Sequence, residues 1–414
     1  MGGVVVMNSF ADILNKPTLF RDRNVLSPHY IPEALPHREK EITKIMETVS
    51  PALKGERPHN LLLYGKTGTG KTCSVKYVME KFSSVPSASK MVYVNCRIYD
   101  SKYKILQKVV KDHIPEFYKQ GYGFSFLYEK ILNWIEGDGK SLIYVLDEVD
   151  MVKDIDDLMY TITRSNDELK RGCISLIGIS NKVSFKERLD PRSRSSLFET
   201  EMVFAPYTSY QLREILKQRS TRGFVDGVVE EGALNLAAAI AAQDNGDARY
   251  ALKLLLKAGE LADENGDSKI TDTHVEKARR TVDEDISVEA ISTLPRHQQI
   301  VLYSIASLQC EGGRYSSLGD NGNSRINGLL SGEVFERYSL LAKKFRTEAR
   351  SARWYREYLN DLEMLGLITL TDSGKGQRGH TRFIKLACSP QKVMQLIESV
   401  VFGQSIAPSP MPAG

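Results

Sequence analysis

The sequence has no run approaching the ~20 consecutive apolar residues that a bilayer-spanning helix needs. Its opening, MGGVVVMN, lacks a basic flank and carries too short an apolar run for a secretory signal. Cysteine is sparse: Cys73, Cys96, Cys173, Cys310 and Cys388 are scattered, odd in number and form no CxxC pair. That argues against a disulfide framework or a cysteine zinc site and for buried free thiols. The seven histidines show no paired ligand spacing, and no internal repeat is present. The expectation is a cytoplasmic protein with no membrane contact.

What is there fits an ordinary globular chain, with 42% hydrophobic and 26% charged residues. At roughly 150 residues per domain, 414 residues suggest two to three domains. The net charge of +4 is too small to announce a nucleic-acid partner, but its distribution is uneven. Residues 337–385 hold eleven Lys or Arg against five Asp or Glu, an excess of six. An electrostatic footprint on phosphates needs such an excess; a solvated charged face is the alternative.

Along the chain, Pro17, Pro28, Pro32 and Pro36 interrupt helix until HREKEITKIMETVSPAL. Short apolar runs then alternate with helical patterns: LLLY (61–64), VYVNC (92–96), SLIYVL (141–146), ISLIGIS (174–180) and EMVFA (201–205). Such runs are the mark of parallel strands covered on both faces, and the alternation predicts an α/β fold. After Pro206 the pattern turns helical at 209–224, 228–243, 247–262 and 271–285, a small all-α domain with breaks at NGD and ENGD. A third unit begins near Ile286. Helices over 297–310, 333–346 and 351–366 precede LITLT, a glycine-rich turn and RFIKLA, the order of a winged helix-turn-helix. The division is an N-terminal segment at 1–24, an α/β domain at 25–206, a helical lid at 207–283, a winged-helix domain at 284–403 and a disordered tail at 404–414.

GKTGTGKT at 65–72 follows one strand and opens a helix. Gly65, Lys66, Thr67, Gly68, Thr69, Gly70, Lys71 and Thr72 satisfy G-x-x-x-x-G-K-[ST]. Glycines let the backbone N–H groups turn onto a phosphate, and the helix adds its positive end. Lys71 reaches the outer phosphates, and Thr72 offers a hydroxyl to Mg²⁺. The apolar strand SLIYVLDEVD ends in Asp147, Glu148 and Asp150, in the crevice where open α/β sheets bind ligands. Asp147 suits the Mg²⁺ shell and Glu148 the general base for an attacking water; an acidic helix start is the plainer reading. Asn181, at the tip of the next strand, either bonds that water or caps a turn. Arg188, Arg192 and Arg194 are each candidates for a neighbour's phosphate or for a surface ion pair. Arg249, in the first turn of a helix whose Ala248, Leu252 and Leu255 face inward, either meets the phosphates or faces solvent.

In the third unit, a helix over 351–365 that buries Tyr355, Leu359, Leu362 and Leu365 turns Arg353, Arg356 and Asn360 outward, toward a major groove. Lys375 and Arg378, in the glycine loop, reach for the minor groove. A helix-turn-helix used for protein contacts is the alternative.

These pieces together resemble the archaeal replication initiators related to the first subunit of the origin recognition complex and to the Cdc-six protein, in the AAA+ superfamily. The resemblance rests on LSPHYIPEALPHREKEI (26–42), LLLYGKTGTGKT, LIYVLDEVD, IGISN, LDPRSRSSL, FAPYTSYQLREILKQR and NGDARYALKLL. It implies that Asn181 and Arg249 are the two sensors, that Tyr207 and Arg219 border the nucleotide, and that residues 30–38 pack near the adenine. Three departures stand out. The box reads SRSSL where relatives can carry Ser-Arg-Leu, with Arg192 taken as the arginine acting in trans. Tyr250 follows Arg249 where a second basic residue is common. The initiator insertion falls within 101–123, where Lys102, Lys104, Lys108 and Lys111 either touch DNA or face water.

The implied function is an ATP- and Mg²⁺-dependent initiator that binds double-stranded origin DNA and helps recruit the replicative helicase, with paralogous initiator subunits as further partners. Slow hydrolysis of ATP to ADP makes it a weak ATPase acting as a switch. Two rivals are a winged-helix transcription regulator that binds ATP and a clamp-loader-like remodelling ATPase.

Overall fold

The computed structural model describes residues 18–28, 30–118, 121–182, 185, 189–191, 193–194, 200–311, 328–345, 347–372 and 382–403. The chain divides into two compact units, Met1–Ala278 and Arg279–Gly414.

In the first unit, the apolar runs become five parallel strands: β1 (Leu61–Tyr64), β2 (Lys90–Asn95), β3 (Ser141–Asp147), β4 (Cys173–Ser180) and β5 (Thr200–Val203). Their order is β2-β3-β4-β1-β5. Every residue of β3 and β4 is buried, because helices cover both faces and no polar alternation is needed. Adjacent side chains still alternate between two cores. Leu61 and Leu63 pack with Ile143, Ile177 and Phe204 under α1 (Glu39–Val49) and α2 (Lys71–Ser83). Leu62 packs on the opposite face with Leu142, Leu146 and Leu176. That face is covered by α3 (Lys102–His113), α4 (Phe124–Asp138) and α5 (Ile155–Glu168). Since β1 lies between β4 and β5, the winding direction reverses beside it, and the carboxyl ends of β1 and its neighbours open a crevice.

The chain leaves β5 through Pro206 and enters the helical part of this unit: α6 (Ser209–Gly223), α7 (Glu231–Asp244), α8 (Ala248–Asn265) and the first residues of α9 (Asp272–Thr293), which runs past the division at Ala278. Thr208 and Gln211 close α6 with a reciprocal capping box, and Asp247 caps α8 by accepting from the Arg249 and Tyr250 amides. The last helix, expected over 271–285, continues to Thr293, since no glycine or proline interrupts it before Pro295.

The second unit contains α10 (Arg296–Glu311), β6 (Leu329–Leu330), α11 (Ser331–Lys344), α12 (Ala352–Met364), β7 (Ile368–Asp372), β8 (Arg382–Leu386) and α13 (Pro390–Gly403). β7 and β8 pair antiparallel, as expected of the hairpin; β6 joins on the other side of β8. Tyr338, Ile300, Ile305, Leu362 and Ile384 centre its core. One expected core residue is misplaced: Leu365 is 50% exposed. The helix ends at Met364, Gly366 turns the chain with φ of 71°, and Leu367 fills the interior instead. Among the described residues, no helix is long and apolar enough to cross a membrane.

Candidate functional site

The phosphate loop joins β1 to α2. Gly68 and Gly70 both adopt left-handed backbone, with φ of 72° and 91°. A Cβ on Gly68 would stand 1.7 Å from Asp247 Oδ1, and one on Gly70 would stand 2.6 Å from the Tyr207 hydroxyl. Gly70 is also the N-cap of α2 and offers no side chain to the first amides, so the helix presents its N–H groups at the loop. Thr69 Oγ1 donates to Lys66 O (2.9 Å), which holds the curl. Lys71 is 5% exposed; its ammonium donates to Gly65 O (2.7 Å) and Lys66 O (2.8 Å). Burial, and then Arg249, lower its pKa to about 8, while Asp147 and Asp247 pull the other way. A buried ammonium held by carbonyls is a site that an anion relieves.

Opposite stands the end of β3. Asp147 is buried, and its Oδ2 accepts from Thr72 Oγ1 (2.9 Å) and the Tyr93 hydroxyl (2.7 Å). Its Oδ1 accepts from the Glu148 amide (3.0 Å). Burial, reinforced by Asp147, raises the Tyr93 pKa and keeps that phenol a donor. Glu148 adopts φ of 54°, unusual for a residue with a side chain, and forms an ion pair with Arg97 at 3.0 Å. Asp150 accepts from Ser180 Oγ (3.0 Å) and ties β4 to the same acidic turn.

Among the described residues, no three His, Cys, Asp or Glu gather into a metal cluster. The Thr72 hydroxyl and Asp147 carboxylate are hard oxygen donors in contact, and magnesium characteristically takes one or two protein oxygens and completes its shell with phosphate and water. The residues present fit that cation.

The lid bears directly on the loop. Ala248 N donates to Gly68 O (3.2 Å), and Lys66 Nζ donates to Asn245 Oδ1 (3.0 Å). Arg249 is exposed and lines one cavity with Gly68, Gly70 and Thr72. Leu252 and Leu255 face inward as expected, whereas Ala248 is half-buried at the loop. Tyr30, Ile31, Tyr207 and Arg219 line the same cavity. Arg219 is buried, donates to Val25 O (2.9 Å) and Tyr30 O (3.1 Å), and stacks on the Tyr30 ring. Asn181 is exposed just beyond β4.

Two contributors were not assigned these contacts from sequence. Asp247 seemed part of a helix break; its position before a helical pattern is the N-cap signal. The resemblance puts Arg38 near the adenine, and in the structure its fork grips the loop's backbone. Nε donates to Thr69 O (2.9 Å), Nη2 to Ala205 O (2.6 Å) and Nη1 to Glu41 (3.0 Å), with the guanidinium 4.0 Å from the Tyr207 ring centre. One 4%-exposed residue thus joins the start of α1, the loop and the start of the lid.

Arg188 and Arg192 lie outside the described residues; Arg194 is exposed. Lys102, Lys104 and Lys108 are ion-paired with Asp157, Asp100 and Asp112, and Lys111 sits over the Tyr118 ring.

In the second unit, α12 buries Tyr355, Leu359 and Leu362 and exposes Arg353, Arg356 and Asn360. The helix is pinned from behind: Tyr355 donates to Ser331 O (3.0 Å), and Gln298 Nε2 donates to Asp361 (2.8 Å). Tyr338 Oη accepts from the Arg350 amide (3.0 Å) just before the helix. Asn360 Oδ1 accepts from Arg382 (2.9 Å). Lys375 and Arg378 lie outside the described residues.

Comparison with known proteins matches three successive segments: an AAA domain at 55–183, a Cdc6 AAA+ ATPase-type lid domain at 213–280 and a CDC6 C-terminal winged helix domain at 289–396. ORC1-type DNA replication protein 1 of Sulfurisphaera tokodaii is 39% identical over 395 residues, covering 95% of this chain and 96% of that one. The chain belongs to the ORC1-type DNA replication proteins. The Pyrococcus abyssi member is 40% identical over 394 residues, covering 93% of this chain and 91% of its own. The structure of the Aeropyrum pernix ORC1 protein in complex with DNA superposes with a TM-score of 0.77 at 36% identity, covering 94% and 98% of the two chains. Cdc6p of Pyrobaculum aerophilum, at 23% identity and a TM-score of 0.59 over 94% and 100%, shares the fold. The expected α/β AAA+ domain, helical lid and winged helix are therefore borne out, as is the replication-initiator assignment. This ORC1-type chain is a nucleotide-binding protein of the AAA+ kind.

Proposed function

We propose that this ORC1-type protein is an ATP-operated switch that binds double-stranded origin DNA and helps bring the replicative helicase, acting in the cytoplasm at the nucleoid and with paralogous initiator subunits. The supporting observation is the direct hydrogen bonding of lid to phosphate loop at Gly68 and Lys66, so that whatever occupies the loop bears on the lid. On this reading the α/β domain is 25–206, the lid 207–283 and the winged helix 284–403.

Residues 65–72 cradle the phosphates of ATP or ADP, and Tyr207 and Arg219 border the nucleoside. Lys71 supplies the buried charge. Thr72 and Asp147 hold Mg²⁺, which neutralises phosphate charge when bound. Glu148 Oε takes a proton from the attacking water, Asn181 orients that water, and Arg249 closes on the outer phosphate from the lid. Arg192 serves a neighbouring subunit's nucleotide. The ion pair of Glu148 with Arg97, at 3.0 Å, supports the reading of slow turnover. Binding of nucleotide to the folded state alone stabilises it by about 2.7 kcal/mol at a hundred times its Kd.

Arg353, Arg356 and Asn360 meet the major groove, and Lys375 and Arg378 the minor groove. The A. pernix relative bound to DNA and the local basic excess support this assignment. The test is a footprint on native chromosomal DNA of wild type, Lys71→Ala and Arg353→Ala. Protection at replication start sites that Arg353→Ala weakens, with nucleotide affinity unchanged, is the expected result. Occupancy confined to promoters overturns the initiator reading in favour of a transcription regulator; vigorous DNA-stimulated hydrolysis in a closed ring favours a remodelling motor.

A further inference from the structure

The exposed side of α12 carries a residue that the charge-based account leaves without a task. Trp354, third in the helix, is 51% exposed and lies between Arg353 and Arg356. The chain has two tryptophans. The other, Trp134, is covered by Lys140, 4.0 Å from its ring centre, and by His113. Trp354 touches Tyr358 with ring centres 6.3 Å apart, and Tyr358 stacks on His297 at 6.1 Å. This row of rings anchors one side of the indole and leaves the rest open.

Side chains in a helix lean toward its N-terminus, so an indole in the first turn extends toward the end that meets base edges when such a helix enters a groove. The charged groups on the helix surface around it are Arg353, Arg356, Glu357 and Asp361, with Arg350 just before the helix; Asp361 is already engaged by Gln298. The basic neighbours select a polyanion. Phosphates are matched by the arginines, and an uncharged ring gains little from them. What the floor of a major groove offers an apolar surface is the 5-methyl group of thymine.

We propose that Trp354 is a specificity-determining residue that reads thymine by packing its indole on 5-methyl groups in the major groove. The inference rests on the assignment of α12 as the DNA-reading helix, and the test separates the two. The full-length chain, with ATP and Mg²⁺, selects a duplex from a randomised library. That duplex is then made with thymine or with uracil, and affinity is measured by anisotropy at one salt concentration. Wild type is expected to lose about fourfold per contacted methyl on the change to uracil, the transfer cost of one buried carbon. Trp354→Ala is expected to bind the thymine duplex at least about tenfold more weakly, as truncation of a central aromatic contact does, and to hold thymine and uracil duplexes alike. Trp354→Phe recovers part of both. Arg353→Ala weakens the two duplexes equally. The fluorescence of wild type quenches on binding, and the quench is absent in Trp354→Phe. Nucleotide affinity stays at the wild-type value in all variants, which controls for folding. A Trp354→Ala chain that keeps the wild-type thymine-to-uracil ratio overturns the thymine-reading role, leaving α12 as the DNA helix if Arg353→Ala is still impaired. If Arg353→Ala and Trp354→Ala both bind as wild type does, the DNA assignment of α12 fails and the inference with it.

Discussion

The nucleotide site and α12 are built on opposite principles. In the first, backbone frames the working surface: left-handed glycines and a helix start present N–H groups, the side chains of Lys71, Thr72 and Asp147 are fixed against that frame, and Arg38 and Asp247 hold it in shape. In the second, side chains are the working surface and the backbone only carries them, with Tyr355 and Gln298 fixing the helix from behind. Backbone sites tolerate few substitutions and show themselves as contiguous motifs. Side-chain surfaces change residue by residue and leave only a local charge excess as a trace.

The sharpest way to break this contrast is Lys71→Ala. Removing the loop's buried ammonium is expected to weaken ATP roughly a hundredfold, the scale of losing two charge-assisted contacts. Calorimetry checks it, while nucleotide-free DNA affinity remains as in wild type. Next is Arg38→Lys, which keeps the charge and loses the fork that spans Thr69 and Ala205. ATP affinity should fall about tenfold, since an ammonium cannot reproduce a planar multi-dentate donor. A variant with unaltered affinity contradicts a role for Arg38 in shaping the loop.

The pH dependence of the site is smaller. Lys71 is depressed from 10.5 to about 8 in the folded chain, so the cost of burying its charge is fully present below pH 8 and disappears as pH rises from 8 to 10.5. Bound phosphate favours the charged form, and ATP affinity should therefore decline above pH 8, at most about tenfold per pH unit. Titrations at pH 7 and pH 9 test this, with Lys71→Arg expected to show a flat profile. The smallest effect is in the second unit: Tyr355→Phe removes one hydrogen bond to Ser331 O and should cost about 1 kcal/mol in thermal unfolding. Nucleotide affinity should not respond.

Much of this was legible in the chain. The strands could be read because burial on both faces leaves only short apolar runs, and the phosphate loop because its chemistry needs eight adjacent residues. β6 escaped notice since two residues have no periodicity. α13 was lost behind the hairpin, and α9 ran past its expected end for want of a breaker. Leu365 deceived because helical spacing says nothing about where the helix stops. Arg38 lies 31 residues from the carbonyl it holds, and Asp247 is farther still from Gly68; only the fold brings them together. Trp354 illustrates the remaining limit, since exposure is a property of packing.

The most direct measurement is hydrogen exchange of the phosphate-loop amides at 66–72 and the lid-turn amides at 245–250, with and without ATP and Mg²⁺. Protection of both segments together in wild type, and of neither in Lys71→Ala, is the predicted result. ATP that protects the loop and leaves the lid turn unchanged contradicts the switch.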